Sequence, residues 1–397
     1  MAQLSDRLNR LAPSATLAMS QKSNEMKAQG VDVINMSVGE PDFNTPDHIK
    51  EAGKKAIDDN FSKYSPVPGY MDLREAIVEK LKKENGLDYT TNEVIAGTGG
   101  KQGVCNTILA LVNPGDEVII PAPYWVSYPQ MAKLAGATPV VVRAGFEQDF
   151  KMTAEQLEAA ITPKTKMLIL CSPSNPTGSV YSQEELNALA EVILKHEDIF
   201  VLSDEIYEHI NYVGKAASIA SYPGMKERTI ICNGVSKAYA MTGWRLGWVA
   251  APAWIVKGIN KLQGQYTSGT CDVSQKAAVA AYVASQDCVE QMRVAFERRR
   301  DLIVKLAKDI PGLEVNVPQG AFYIFPKCSS FFGKSDGETV INNSTDFAMY
   351  ILEKAHVATV GGDAFGDPDC FRMSYATSDD NIREAMRRIK EVLAVLK

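Results

Sequence analysis
The chain has 397 residues, with 45% hydrophobic and 23% charged side chains, seven scattered cysteines, four histidines far apart and a formal net charge of −6. A length of that order folds as about two to three domains or two lobes around one site, with enough core to need no disulfide or metal staple. The acidic balance, spread along the chain, argues against nucleic acid or an anionic membrane as main partner, and the Cys and His spacings offer no metal site and fit a reducing compartment.

The N-terminal stretch MAQLSDRLNRLAPSATLAMS places Asp6 and Arg7 early and has no continuous apolar run, so no secretory signal and a cytoplasmic location are expected. From about residue 90 to 250, strand-like and helix-like segments alternate. EVIAGTGG runs into a helical GVCNTILALV; DEVIIPAP and TPVVVRA follow as strands; KTKMLILC is a strand ending in the turn SPSNPTG. In SQEELNALAEVILKH, Ser182 and Glu185 form a capping box that starts a helix. IFVLSDEIY, TIICNG and RLGWVAAP complete the strands. Apolar strands alternating with amphipathic helices predict an α/β domain with a mainly parallel sheet. Residues 286–309 read as one long charged amphipathic helix, followed by short strands in AFYIF, HVATV and CFRMSYA and a terminal helix in DNIREAMRRIKEVLAVL, which predicts a smaller α+β domain beginning near residue 290.

In open α/β sheets ligands bind beyond the carboxyl ends of the strands. The polar residues expected there are Gly99, Gly100 and Lys101, then Tyr124 and Trp125, Asn175, Asp204 and Tyr207, and Ser236, Lys237 and Arg245. Taken singly, each has an ordinary explanation. TGGKQG is a tight turn as readily as a phosphate cradle at a helix start, NPTG is a plausible plain turn, and a lone Trp is more often core. The segment SKAYAMTGWRLGW is harder to dismiss, because it sends Lys237 and Arg245 toward an interior cleft and such cations are rarely buried unpaired. Together the set contains the parts that hold pyridoxal phosphate: an aromatic wall, a carboxylate for the ring nitrogen, a Tyr and an Asn for the ring oxygen, a phosphate cradle with an Arg, and a Lys amine that attaches the cofactor and shuttles the Cα proton.

These motifs are similar to those of a known family. GVSKAYAMTGWRLG at 234–247 fits the lysine signature of the class I pyridoxal phosphate-dependent aminotransferases, and PSAT, SVGEPDF, YSPVPGYMDLREAI, GGKQ, PYWVSYP, SPSNPTG, SDEIYE, GAFY and FRMSYATS extend the match over nearly the whole chain. The chain resembles the bacterial-type aspartate aminotransferases of this group. The resemblance implies fold type I, with a large, mainly parallel, seven-stranded sheet domain at 46–290 and a small α+β domain made of 1–45 plus 291–397. It implies Lys237 as attachment point and general base and acid, Asp204 on the ring nitrogen, Tyr207 and Asn175 on the ring oxygen, and Trp125 stacked on the ring. Arg245 and the amides of Gly99, Gly100 and Lys101 are implied on the phosphate, with Tyr64 reaching it from the second subunit of a homodimer. Arg372 is implied as the fork on the substrate α-carboxylate, assisted by Asn175, Trp125 and the Gly39 backbone. Two departures stand out. A hydroxyl residue that many relatives carry three positions before the lysine is Gly234 here, leaving Ser236 as the available hydroxyl. The stretch 263–274 has no Arg for the distal carboxylate, which leaves Lys101 and Thr16.

The expected reaction is reversible transfer of the amino group from L-aspartate to 2-oxoglutarate, giving oxaloacetate and L-glutamate. Prephenate, aromatic and alanine transamination on the same scaffold, and β-C–S lyase chemistry, are the alternatives, and recognition of the distal carboxylate separates most of them. A cofactor-binding regulator would carry a DNA-binding domain, for which the sequence shows no helix-turn-helix segment.

Overall fold
The computed structural model describes residues 4–397. Its strands, in chain order, are β1 (Ile34–Asn35), β2 (Val94–Gly97), β3 (Glu117–Ala122), β4 (Thr138–Arg143), β5 (Thr165–Cys171), β6 (Phe200–Asp204), β7 (Thr229–Gly234), β8 (Gly247–Ala250), β9 (Tyr323–Ile324), β10 (Val357–Ala358), β11 (Val360–Gly361) and β12 (Phe371–Ser374). Seven of them form one sheet in the order β2-β8-β7-β6-β5-β3-β4. Only β8 runs against its neighbours β2 and β7; the other pairings are parallel.

The apolar character of these strands follows from helices covering both faces. Successive side chains of a strand point to opposite faces. On β2, Val94 and Ala96 pack with Ile49, Leu73, Ile77 and Ala278 of the helices Asp47–Asp58, Met71–Lys80 and Asp272–Val283. Ile95, between them, packs on the other face with Val104, Ile108, Ile255 and Ile259 of the helices Gly100–Leu111 and Ala253–Tyr266. The capping box at Ser182 is formed: its hydroxyl accepts from the Glu185 amide at 3.2 Å, and the Glu185 carboxylate accepts from the Ser182 amide at 2.7 Å.

Around the second centre, β11, β12 and β9 form an antiparallel sheet, while β1 pairs in parallel with β10. The long helix spans Asp287–Lys308 and the terminal one Asp379–Leu393. Phe296, Phe322, Tyr323, Phe347 and Phe371 make a core that Ile34 and Met36 join from the N-terminal segment. HVATV, expected as one strand, is split at the buried Thr359: β10 pairs with β1 and β11 with β12, so the chain changes sheets within five residues. No helix of the described residues is long and apolar enough to cross a membrane.

Candidate active site
The carboxyl ends of β3, β5, β6 and β7 open onto a cavity of about 310 Å³. Of the expected site residues, Thr16, Gly39, Gly100, Lys101, Trp125, Asn175, Asp204, Tyr207, Ser236, Lys237, Arg245 and Arg372 line it. Gly99 stands directly behind, as the residue preceding the helix Gly100–Leu111, with φ at +78°. Only glycine adopts that conformation without strain, and a Cβ there would lie 2.4 Å from Nη2 of Arg245. Tyr64 does not reach the cavity; its side chain is fully exposed, at 100%.

Arg245 arrives by a route the linear pattern did not show. It does not follow a strand but precedes β8, and because β8 is reversed, its start lies at the rim where the other strands end. Arg245 was expected in an interior cleft; within the single chain it is exposed. Its Nη1 donates to the Thr242 carbonyl at 2.8 Å and its Nη2 to the Thr98 carbonyl at 3.4 Å. It has left-handed backbone, φ +54°, an unfavourable state for a non-glycine residue that tends to mark functional turns. Gly234 is equally constrained: a Cβ there would stand 2.6 Å from the Cα of Gly247, so β7 and β8 leave no room for a hydroxyl side chain.

Asp204 closes β6 at the cavity floor and is 7% exposed. One oxygen accepts from the Tyr128 hydroxyl at 2.6 Å and the other from the Ile206 amide at 3.3 Å. Burial raises its pKa, while the hydrogen bonds from Tyr128 and Ile206 and the charge of Lys237 act to lower it. Trp125 stands edge-on to Tyr128, with ring centroids 5.3 Å apart. The Tyr207 hydroxyl lies 2.7 Å from that of Tyr323. Tyr323 in turn abuts Gly39, where a Cβ would meet its hydroxyl at 2.2 Å.

Lys237 donates from Nζ to the Gly39 carbonyl at 2.7 Å. Burial lowers its pKa to about 8, with Arg372 and Arg245 acting in the same direction and Glu40 opposing them. A lysine held there offers an appreciable unprotonated fraction near neutrality, as a nucleophile or base requires. Lys101 sits with Nζ 4.9 Å from the Trp125 ring centre, and desolvation, then Arg245, lowers its pKa.

Arg372 on β12 is 2% exposed. Nη1 donates to Asn175 Oδ1 at 2.8 Å and Nη2 to the Ser37 carbonyl at 2.5 Å. Its guanidinium lies over the rings of Tyr323 and Phe365, at 4.7 and 4.9 Å. Its Nε has no partner, and among the described residues no carboxylate forms an ion pair with it. A buried guanidinium so framed is a receptor for an anion from outside.

These residues fit a planar, anionic, cation-bearing ring. The floor carboxylate can pair with a positive group, Trp125 offers an aromatic wall, and the helix start after Gly99, with Arg245, offers amide and guanidinium donors for a phosphate. Sequence reasoning assigned no part to Tyr128, Tyr323 or Ser37. Tyr128 and Tyr323 sit inside the quoted motifs PYWVSYP and GAFY, but their partners lie 76 and 116 residues away.

A family profile described as aminotransferase class I and II matches residues 31–389. The chain is 49% identical over 399 residues to the aspartate/prephenate aminotransferase of Cereibacter sphaeroides, covering 100% of both chains. It superposes on the crystal structure of the aspartate aminotransferase from Rhizobium meliloti with a TM-score of 0.97 at 42% identity, covering 100% of each chain. Against the Thermus thermophilus aspartate aminotransferase with maleate, the TM-score is 0.93 at 40% identity, covering 99% of this chain and 100% of the other.

Proposed function
The chain belongs to the class I and II aminotransferases, and from that premise we propose that it is an aspartate aminotransferase, passing the amino group of L-aspartate to 2-oxoglutarate by a two-stage exchange. The observation that carries this is Arg372, a buried guanidinium with an idle Nε and no acid of its own, facing the same cavity as a lysine of depressed pKa. The family uses pyridoxal 5'-phosphate, which when bound supplies the electron sink for the substrate's Cα electrons and holds the amino group between the two stages.

The chain's own residues divide the rest. Asp204, anchored by Tyr128, holds the proton on the ring nitrogen. Tyr207 and Asn175 donate to the ring oxygen and Trp125 covers the ring face. Gly99, Gly100, Lys101, Ser236 and Arg245 hold the phosphate. Arg372 takes the α-carboxylate of the amino acid, with Asn175 orienting the guanidinium and Gly39 closing that side. Lys237, the attachment point, gives up its contact with the Gly39 carbonyl and moves a proton at the substrate Cα. The Lys101 side chain and Thr16, which also line the cavity, hold the distal carboxylate; the solved Thermus relative with maleate, a dicarboxylate, supports that class of ligand.

We place the domain division at 46–290 against 1–45 plus 291–397, supported by the pairing of β1 with β10 and the shared core of Ile34 and Met36. The working unit on this proposal is a cytoplasmic homodimer, in which Tyr64 reaches the phosphate site of a second copy.

Prephenate is the second reading, favoured by the Cereibacter relative and by the nature of Lys101. A lysine is a point charge on a flexible stem and does not impose the geometry of an arginine fork. Single-turnover reactions of the cofactor-loaded protein with aspartate, glutamate, alanine, phenylalanine and arogenate decide. Aspartate and glutamate are expected to react fast, and Lys101→Ala to slow them by roughly tenfold or more while leaving alanine unchanged. Fast reaction with arogenate adds prephenate to the substrates; slow reaction with both dicarboxylates overturns the aspartate assignment.

A further inference from the structure
The segment Ser203–His209 has two sides. Asp204 and Tyr207 face the cavity, whereas Glu208 turns away into the protein and is 7% exposed. Behind the site it meets Lys80, which is 5% exposed. Lys80 Nζ donates to Glu208 Oε1 and, at 2.8 Å, to Asn85 Oδ1. Asn85 Nδ2 donates to Glu208 Oε2 at 2.8 Å. A π-helical turn, Leu81–Asn85, makes this possible: it follows the helix Met71–Lys80 and brings residues five apart onto one face. Glu84, Glu208 and His209 cluster closely enough to ligate a metal, but the ammonium of Lys80 already serves as their cation.

Glu208 has one more partner. Asn233 Nδ2 donates to Glu208 Oε1 at 2.6 Å, and Asn233 Oδ1 accepts from the Gly234 amide at 2.7 Å. Asn233 and Gly234 end β7, three residues before Lys237. The same carboxylate therefore grips the turn carrying Ser236 and Lys237 and belongs to the turn carrying Asp204 and Tyr207. Burial opposes its ionisation, but Lys80 and His209 hold its pKa down to about 2, so it is a permanent anion at working pH. A buried ion pair is a poor way to gain stability, since apolar residues of equal volume often do as well or better. Its position behind two catalytic turns calls for another account.

We propose that Glu208, held by Lys80 and Asn85, is a positioning residue that sets where Lys237 Nζ stands relative to Asp204 and Tyr207. It rests on the assignment of Lys237 as attachment point. Displacing Nζ changes its distance from Glu40, Arg372, Arg245 and Asp204, the charged groups that act on it. The pH midpoint of the holoenzyme absorbance change should therefore move together with turnover.

The test compares two paired variants, in each of which the buried charges of Lys80 and Glu208 are removed together while Glu84 keeps His209, 2.9 Å away, as its partner. Lys80→Met with Glu208→Leu removes both charges and the acceptor for Asn233. Lys80→Met with Glu208→Gln removes the charges but keeps an acceptor. The first is expected to lose about ten- to a hundredfold in kcat at nearly unchanged KM, as for a misplaced reacting group, and to shift the absorbance midpoint; the second is expected to recover most of both. Native kcat and midpoint in the first pair, with only the melting temperature lowered, overturns the proposal, as does failure of the second pair to recover. If neither pair folds, Asn233→Ala decides, since it cuts the link to the Lys237 turn and leaves the ion pair intact: lost kcat with a shifted midpoint supports the proposal, native values overturn it. Lys237→Ala, titrated in parallel, separates the two levels. An absorbance change that persists there removes the Lys237 assignment itself; its loss leaves that assignment standing whichever way the Glu208 variants fall.

Discussion
Lys237 has its ammonium among opposed influences: burial, Arg372 and Arg245 disfavour the charge and Glu40 favours it, leaving a pKa of about 8 instead of the ordinary lysine value of 10.5. Below the midpoint the amine is protonated and cannot attack a carbonyl; above it the lone pair is free. The rate at which the cofactor-free protein captures pyridoxal phosphate should therefore rise through pH 8 and level off well before 10. Glu40→Gln removes the one nearby carboxylate that acts most strongly to keep the proton, so its midpoint should lie lower. Stopped-flow absorbance against pH measures both. A midpoint at the ordinary lysine value would show that Lys237 is hydrated in the free protein. Arg372 is the complementary case, a cation whose burial has no acidic compensation among the described residues.

At the scale of the element, the segment leaving β6 places one carboxyl in the cavity and two behind it. Glu205 receives the hydroxyls of Ser203 and Ser218 at 2.9 and 2.7 Å. Burial, then the charge of Glu208, pushes its pKa up to about 7. An unfolded glutamate ionises near 4.3, so between the two values the folded state keeps a proton that the unfolded state has lost. The stabilisation is full below the unfolded pKa and is lost as pH rises through 7. Glu205→Gln should abolish that decline, a difference on the order of 2 kcal/mol across the window, in urea unfolding of the cofactor-free protein at pH 5 and pH 7.5. Equal pH dependence in variant and native protein would mean that Glu205 is ionised throughout. Elements with a local cause are readable from the sequence: the helix after Ser182 declares itself by a capping box four residues long, Ser182 to Glu185. The helix Asp272–Val283 has no such local signal: Cys271 before it provides no side-chain cap, and its Ala-rich face is defined only by packing against Ile49, Leu73 and Ile77.

At the scale of the whole molecule, one proposed phosphate ligand, Tyr64, does not reach the cavity within a single chain, and another, Arg245, lines it from an exposed position. Arg245 is exposed beside an open groove lined also by Thr98, Thr242, Thr270 and Cys271, and Tyr64 projects fully into solvent. A second copy supplying Tyr64 would complete both. Mixing Lys237→Ala subunits with Tyr64→Ala subunits tests this. In a hybrid dimer the site that retains Lys237 receives an intact Tyr64 from its neighbour, so activity should return well above either parent. No recovery on mixing would place Tyr64 outside the second copy's site.

The order of residues along the chain was enough for the α/β class, the motif order and twelve of the residues that line the cavity. Each of these is a local property: an apolar run, a turn, a polar group at the end of a strand. Tertiary structure alone decided three things. The reversal of β8 carries Arg245 to the rim from the far end of its strand. Tyr128 and Tyr323 come to Asp204 and Tyr207 across 76 and 116 residues. Glu208 closes on Lys80 across 128 residues and on Asn233 across 25. Such partners are chosen by sheet order and burial, because a buried polar group must find a mate wherever the fold brings one, and no spacing along the chain encodes which one that is.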